Sequence, residues 1–206
     1  KLEKKITGYR ILDKKWLLVI SAIAIMFGLF HLYTAMFGMY TAMRQRSVHL
    51  CFALLICFLK FSANRNSGPD KEPWGPYVFI GVGLNMSIFL FFYVNKITAT
   101  LFVHLSYFIL IAAALVAARH FTKKKRMNYK EDIEHRIYWY DLVFIIASIF
   151  GCWYIAIHTD TIVMRAGIVT LLDQICGIWT LLCVLEATRR SIGRVLMSIG
   201  IFMLLY

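Results

Sequence analysis

The sequence predicts an all-α protein, a polytopic membrane helical bundle with about six transmembrane helices plus the start of a seventh. Two features of composition support this: 60% of the 206 residues are apolar, and only 17% are charged. A soluble domain is about half apolar and about a quarter charged. The third observation is that the apolar runs are long and unbroken, as helices that cross a bilayer require. Disorder is excluded, because disordered chains have low hydrophobicity.

Six apolar runs are candidate spans, and a seventh begins near Val195. The second run is short for a crossing, and the loop after it, 62–76, holds all three prolines of the chain. Pro73 and Trp74 in this loop indicate an anchor at the membrane interface. The predicted spans are Trp16–Met39, Ser47–Phe61, Tyr77–Asn95, Thr98–Ala118, Ile137–His158 and Ile168–Thr188.

Lysine and arginine are divided unequally between the two sides of the predicted bundle. With a cytoplasmic N-terminus, 19 of the 23 basic residues lie in inside segments. Because basic residues favour the cytoplasmic side, this distribution predicts a multi-pass protein with its N-terminus in the cytoplasm. A miscounted span would move a basic block to the wrong side. The four outside residues are Arg44, Arg46, Lys96 and Arg165.

The whole chain, 1–206, is predicted to be a single membrane domain with a charged cytoplasmic linker at 119–136. The net charge of +12 comes from basic residues that lie beside the spans, including Lys123 to Arg126. Basic residues in this position contact anionic lipid headgroups. We therefore expect membrane lipids as a partner and no nucleic acid. Docking of a cytosolic partner on the linker is the alternative.

Cysteine and histidine offer limited support for metal or redox chemistry. All five cysteines lie in apolar spans without a CxxC pair, so we expect buried thiols and no disulfides. His31, His49 and His104 lie in spans one, two and four, where facing histidines could hold haem. A histidine near an interface is more often simply hydrogen-bonded.

Catalytic chemistry has no support in the motifs. The chain contains no HExxH, GxSxG, GxGxxG or Walker A sequence. We therefore assign no catalytic, substrate-binding or metal-ligating residue in this segment and predict that it is not an enzyme.

Acidic residues near the inner ends of the spans are candidates for structural or interface roles, because ionisable residues within a membrane are costly. Asp141 lies one turn into span five, near an interface where it can stay solvated. Glu186 precedes Arg189 and Arg190 by three and four residues, so the three residues share one helix face. We interpret them as ion pairs that anchor helix ends.

A second charged pair is predicted at the outer end of span six. Asp173 lies one turn inside that end, and Arg165 can reach back across Gly167 to pair with it. Contact with a neighbouring domain and a role in ion or proton passage are the alternatives for all these charged residues. An ion path is less favoured, because no acid lies at the middle of the bilayer.

Two blocks of sequence resemble a known family. One comprises Met164-Arg165-Ala166-Gly167, Thr170, Asp173, Gly177 and Leu185-Glu186-Ala187-Thr188-Arg189-Arg190 with Gly193, preceded by Asp141 after Trp139. The other comprises His31-Leu32-Tyr33-Thr34-Ala35 and Arg46-Ser47-Val48-His49-Leu50 with Phe52-Ala53. Over roughly 30–60 and 137–206 the chain resembles the N-terminal part of the fused permease of TAXI-class tripartite ATP-independent periplasmic (TRAP) transporters. The stretch 77–118 departs from the family as an additional helical hairpin.

This resemblance implies a small membrane scaffold in a bacterial inner membrane. It implies a downstream large permease domain with the substrate and sodium sites, and a periplasmic substrate-binding protein that delivers an organic acid. The ends of the chain lead us to expect a slice of a longer permease. No cofactor is expected here, and sodium is expected only in the downstream part. A haem-binding electron-transfer protein and a membrane anchor or assembly subunit without a transport role remain alternatives.

Overall fold

The computed structural model describes residues 10, 12–38, 40–63, 73–95, 101–127, 137–165 and 167–206, without the side chains of 101–104 and 122–127. Within these ranges the chain forms seven helices and no strand, which confirms the all-α prediction. The helices are α1 (Lys14–Phe37), α2 (Ala42–Lys60), α3 (Gly75–Val94), α4 (Leu101–Met127), α5 (Trp139–Met164), α6 (Leu171–Ser191) and α7 (Arg194–Leu205).

Five helices in the described ranges, α1, α2, α3, α5 and α6, are long and apolar enough to cross a membrane. The chain is thus a multi-pass membrane protein in its architecture. The remaining predicted crossing corresponds to α4, whose apolar stretch Leu105–Phe121 is shorter than those of the five. The run predicted near Val195 forms α7, a helix of 12 residues.

Two predicted boundaries are wrong. The second helix begins at Ala42 rather than Ser47 and has 19 residues, so it is not short for a crossing. The fourth helix does not end at Ala118 but continues to Met127, so the first half of the predicted 119–136 linker is helical. Lysine and arginine end an apolar run but are good helix formers, which explains the extension. Residues 128–136 lie outside the described residues.

The core lies between α2, α5 and α6. Phe58 of α2 and Phe144 of α5 are fully buried, and their rings stack with centroids 5.3 Å apart. Tyr140, Cys152 and Cys183 belong to the same buried core, which Tyr77 and Ile80 of α3 also join. The third helix packs on α6, where Trp179 Nε1 donates to Ser87 Oγ (3.1 Å). The peripheral helices α1, α4 and α7 pack mainly on α2, α3 and α6, respectively.

Contacts between distant parts of the chain show which helix ends meet at the same end of the bundle. The backbone N–H of Arg10, before α1, donates to the carbonyl of Lys60 at the end of α2 (2.9 Å). The Arg10 side chain also reaches Asp141 at the start of α5, which contacts Arg190 at the end of α6. These segments meet at one end of the bundle, here called the basic end (Arg10, Lys60, Asp141, Arg190 and their neighbours). The sequence predicted that successive spans alternate in direction, and this arrangement agrees with that prediction.

The fifth and sixth helices pack closely where a glycine faces a threonine. A methyl group on Gly151 of α5 would overlap Thr180 Oγ1 of α6 and lie 3.3 Å from the carbonyl oxygen of Cys176. Thr180 Oγ1 donates to that same carbonyl (2.8 Å), so the threonine is held in place. Small residues at such contacts let membrane helices pack closely.

We expect Gly151→Ala to destabilise the bundle by about 1–3 kcal/mol, because the added methyl group overpacks this contact. The matched control is Gly177→Ala on α6, where the space around the glycine is open. Alanine is the better helix former, so the control should not lose stability. Thermal unfolding of the purified protein in detergent measures both effects. Equal midpoints for the two variants would contradict the close approach.

Candidate functional site: a buried ionic network

The centre of the site is Arg190, whose side chain is completely buried at the end of α6. Its Nη1 donates to Asp141 Oδ1 (2.5 Å), and its Nε donates to Glu186 Oε1 (2.7 Å). Both carboxylates are also fully buried. The predicted face shared by Glu186 and Arg190 is therefore present, but it points into the protein and bridges to α5.

Asp141 does not stay solvated at an interface, as the sequence led us to expect. Its Oδ2 accepts hydrogen bonds from Arg10 Nη2 (2.7 Å) and from the backbone N–H of Tyr138 (3.1 Å). The second bond caps the N-terminus of α5, where a negative charge is favourable. Two guanidinium groups and one backbone donor thus take the place of water around this carboxylate.

Arg10 is a member of the network that sequence reasoning missed. Its side chain is 3% exposed, and 131 residues separate it from Asp141. No local pattern links the two positions, because Arg10 lies in a basic N-terminal segment among several similar residues. The available signal was the cost of burying Asp141, which requires a cation from elsewhere in the chain.

Arg189 closes the network on the side of the loop after α2. It forms a two-point ion pair with Glu186, Nε to Oε2 (2.6 Å) and Nη2 to Oε1 (2.8 Å). Its Nη2 also donates to the carbonyl of Ala63 (3.2 Å). The end of α6 is thereby joined to the segment that follows α2. Such two-point pairs fix geometry because the guanidinium is planar.

The network lies among aromatic rings, which lowers the polarity around the charges. The guanidinium carbon of Arg190 is 5.0 Å from the ring centroid of Phe58, 5.5 Å from that of Phe144 and 5.9 Å from that of Tyr140. Electrostatic attraction is stronger in such surroundings than in water. Three arginines and two carboxylates leave a surplus of one positive charge.

The charged pair predicted between Arg165 and Asp173 is present at the opposite end of α6. Arg165 Nη1 lies 3.2 Å from Asp173 Oδ2, and Gly167 provides the turn with a φ of 98°. The sequence did not predict that Tyr154 Oη donates to Asp173 Oδ1 (2.7 Å). Thr170 caps the helix by exchanging hydrogen bonds with Asp173. This group holds the α5–α6 connection and is only partly buried.

The two histidines that allow a haem hypothesis contact each other directly. His31 Nε2 and His49 Nδ1 are 2.9 Å apart, which is a hydrogen bond between α1 and α2. Two metal–nitrogen bonds of about 2 Å each would hold such atoms roughly 4 Å apart. The pair as arranged therefore leaves no room for iron between these nitrogens. The ring of Phe27 packs on both imidazoles, and the side chain of His104 is outside the described residues.

The described side chains include no group of three or more His, Cys, Asp or Glu residues placed to hold a metal ion. The five cysteines are free thiols within or beside the core. What the buried network does chemically is bind helices to one another through ion pairs between buried charges.

Comparisons with protein-family models, with curated proteins and with solved structures found no match.

We expect Arg190→Met to destabilise the protein by about 3–5 kcal/mol, because Asp141 and Glu186 each lose a buried guanidinium hydrogen bond worth about 1.5–3 kcal/mol, although Arg10 and Arg189 still pair with them. Arg194→Met is the matched control, since Arg194 is exposed at the start of α7. Thermal unfolding in detergent, followed by tryptophan fluorescence, compares the two variants. Similar midpoints would show that the network contributes little to stability.

Proposed function

We propose that the chain is a rigid membrane scaffold within a TRAP-type secondary transporter, which uses an ion gradient, sodium in particular, to take up an organic acid. The observation that carries the proposal is the buried ionic network. It joins α5 and α6 to the segments before α1 and after α2, so these elements are held as one body. A scaffold needs fixed helices, whereas a moving transport domain needs polar groups that bind and release a solute.

The helices themselves support a scaffold. Transport sites are often built from helices broken in the middle of the membrane. All three prolines of this chain lie between residues 69 and 76, and Pro76 occupies the first turn of α3. Each described span is a continuous helix, and the two carboxylates of the network are fully engaged. Neither feature suits a site that must open for a solute.

The peripheral helices support contact with lipid or with further protein. Leu18, Met36 and Phe37 of α1 are largely exposed, as are Val195 and Phe202 of α7. In a membrane, exposed apolar faces such as these are covered by acyl chains or by neighbouring helices. We propose that a downstream large permease domain of the transporter covers part of this surface.

The TRAP assignment rests on the sequence blocks that resemble the family. Four residues of those blocks, Asp141, Glu186, Arg189 and Arg190, belong to the buried network, which Arg10 completes. The assignment places the chain in a bacterial inner membrane with the basic end in the cytoplasm. The Arg165–Asp173 end then faces the periplasm, where a substrate-binding protein delivers the solute.

We expect Glu186→Gln to reduce the amount of assembled transporter without changing its substrate profile or its ion requirement. Asp160→Asn is the matched control, because Asp160 is 71% exposed and, among the described residues, pairs only with Arg44 at the other end of the bundle. The measurement is uptake of labelled organic acids by cells that express the full native polypeptide, normalised to its amount in the membrane. Normal assembly with an altered sodium requirement would exclude the scaffold role of Glu186. Uptake that survives deletion of this region would favour an anchor without a transport role.

A visible absorbance spectrum tests the haem alternative. We expect no Soret band in the protein purified from cells supplied with haem, because His31 and His49 hydrogen-bond to each other. A Soret band lost in both His31→Leu and His49→Leu, with unchanged thermal stability, would establish haem binding.

Blotting of native membranes tests whether the chain is part of a fused permease. A band several times heavier than 23.9 kDa supports the fused permease, and one near that mass supports a separate subunit.

A further inference from the structure

Arg119 lies in the C-terminal third of α4. It forms no ion pair with any described residue. Its guanidinium carbon lies 3.7 Å above the ring of Trp74, the residue before α3. Its Nε is buried and has no hydrogen-bond partner in the part of the chain that the structure describes. Trp74 is 53% exposed, so this stacked pair stands at the surface of the bundle. A stacked guanidinium keeps its outer N–H groups available for an anion.

A second guanidinium lies beside the same turn. A Cβ atom on Gly75 would lie 2.5 Å from Arg189 Cζ, so Arg189 packs directly against the first residue of α3. Arg189 is 11% exposed, and its Nη1 makes no hydrogen bond to the described residues. The first turn of α3 carries no acidic residue, and its backbone adds a partial positive charge. Arg119 and Arg189 therefore contact two consecutive residues, Trp74 and Gly75, and Arg189 also belongs to the network with surplus positive charge.

We propose that Arg119, Arg189 and Trp74 bind the phosphate of an anionic phospholipid headgroup. Guanidinium groups form charge-assisted hydrogen bonds with phosphate oxygens, and tryptophan favours the level of the headgroups. Exposed apolar side chains lead away from the site, Val78 on α3 and Val116 on α4. They provide a surface for acyl chains, which a soluble phosphate would not use. This inference does not depend on the transporter assignment.

Native mass spectrometry of the full purified chain, titrated separately with phosphatidylglycerol and phosphatidylcholine, tests the site. We expect preferential binding of phosphatidylglycerol. Arg119→Gln should weaken that binding about fivefold, since a basic residue near a membrane surface contributes about 1 kcal/mol. Binding of phosphatidylcholine should not change. Arg194→Gln, which removes an exposed arginine elsewhere at the basic end, should bind phosphatidylglycerol like the unmodified protein.

Thermal unfolding of Arg119→Gln checks its fold, and Trp74→Leu removes the stacking surface as an independent test with the same expected loss. Equal binding by Arg119→Gln and the unmodified protein would overturn the proposal. Equal losses in Arg119→Gln and Arg194→Gln would also overturn it, because they would show attraction to net charge alone. Displacement of the lipid by inorganic phosphate at the same concentration would overturn the assignment to a lipid headgroup.

Discussion

Burial of Arg190 is the constraint on which the rest of the bundle depends. A guanidinium without access to water requires carboxylates at matching positions, and Asp141 and Glu186 meet it from two helices. Because both acids are also buried, none of the three can move away without breaking charge-assisted hydrogen bonds that water does not replace. The start of α5 and the end of α6 are therefore held at one depth. Arg10 and Arg189 extend this constraint to the segments before α1 and after α2.

The apolar core follows from that fixed end. With α5 and α6 joined, Phe144 stacks on Phe58 of α2, and Gly151 allows the close approach to Thr180. The opposite end is organised differently, by ion pairs that remain partly exposed, and exposed pairs contribute less to stability. The bundle thus has a rigid basic end and a less constrained opposite end, while α1, α4 and α7 present apolar faces outward.

Local spacing predicted much of the fold and part of the site. The apolar runs predicted the helices, and separations of three, four and eight residues predicted the pairs of Glu186 with Arg189 and Arg190 and of Arg165 with Asp173. Residues distant in sequence could not be paired in this way. The contact between Arg10 and Asp141 depends on how α5 packs against the N-terminal segment, so the burial of Asp141 was missed. The end of α4 was misplaced because hydropathy reports polarity, whereas the helix continues through basic residues with high helix propensity.

The separation of the network members along the chain has a consequence for biosynthesis. A chain is made from its N-terminus, so Arg10 is available first, Asp141 next, and Glu186 and Arg190 last. When α5 enters the membrane, Arg10 is the network cation already made. Arg10 can therefore pair with Asp141 while α6 is still being translated. Arrival of α6 then adds one acid and two arginines together, and Glu186 reaches the membrane with its own counterions three and four residues behind it.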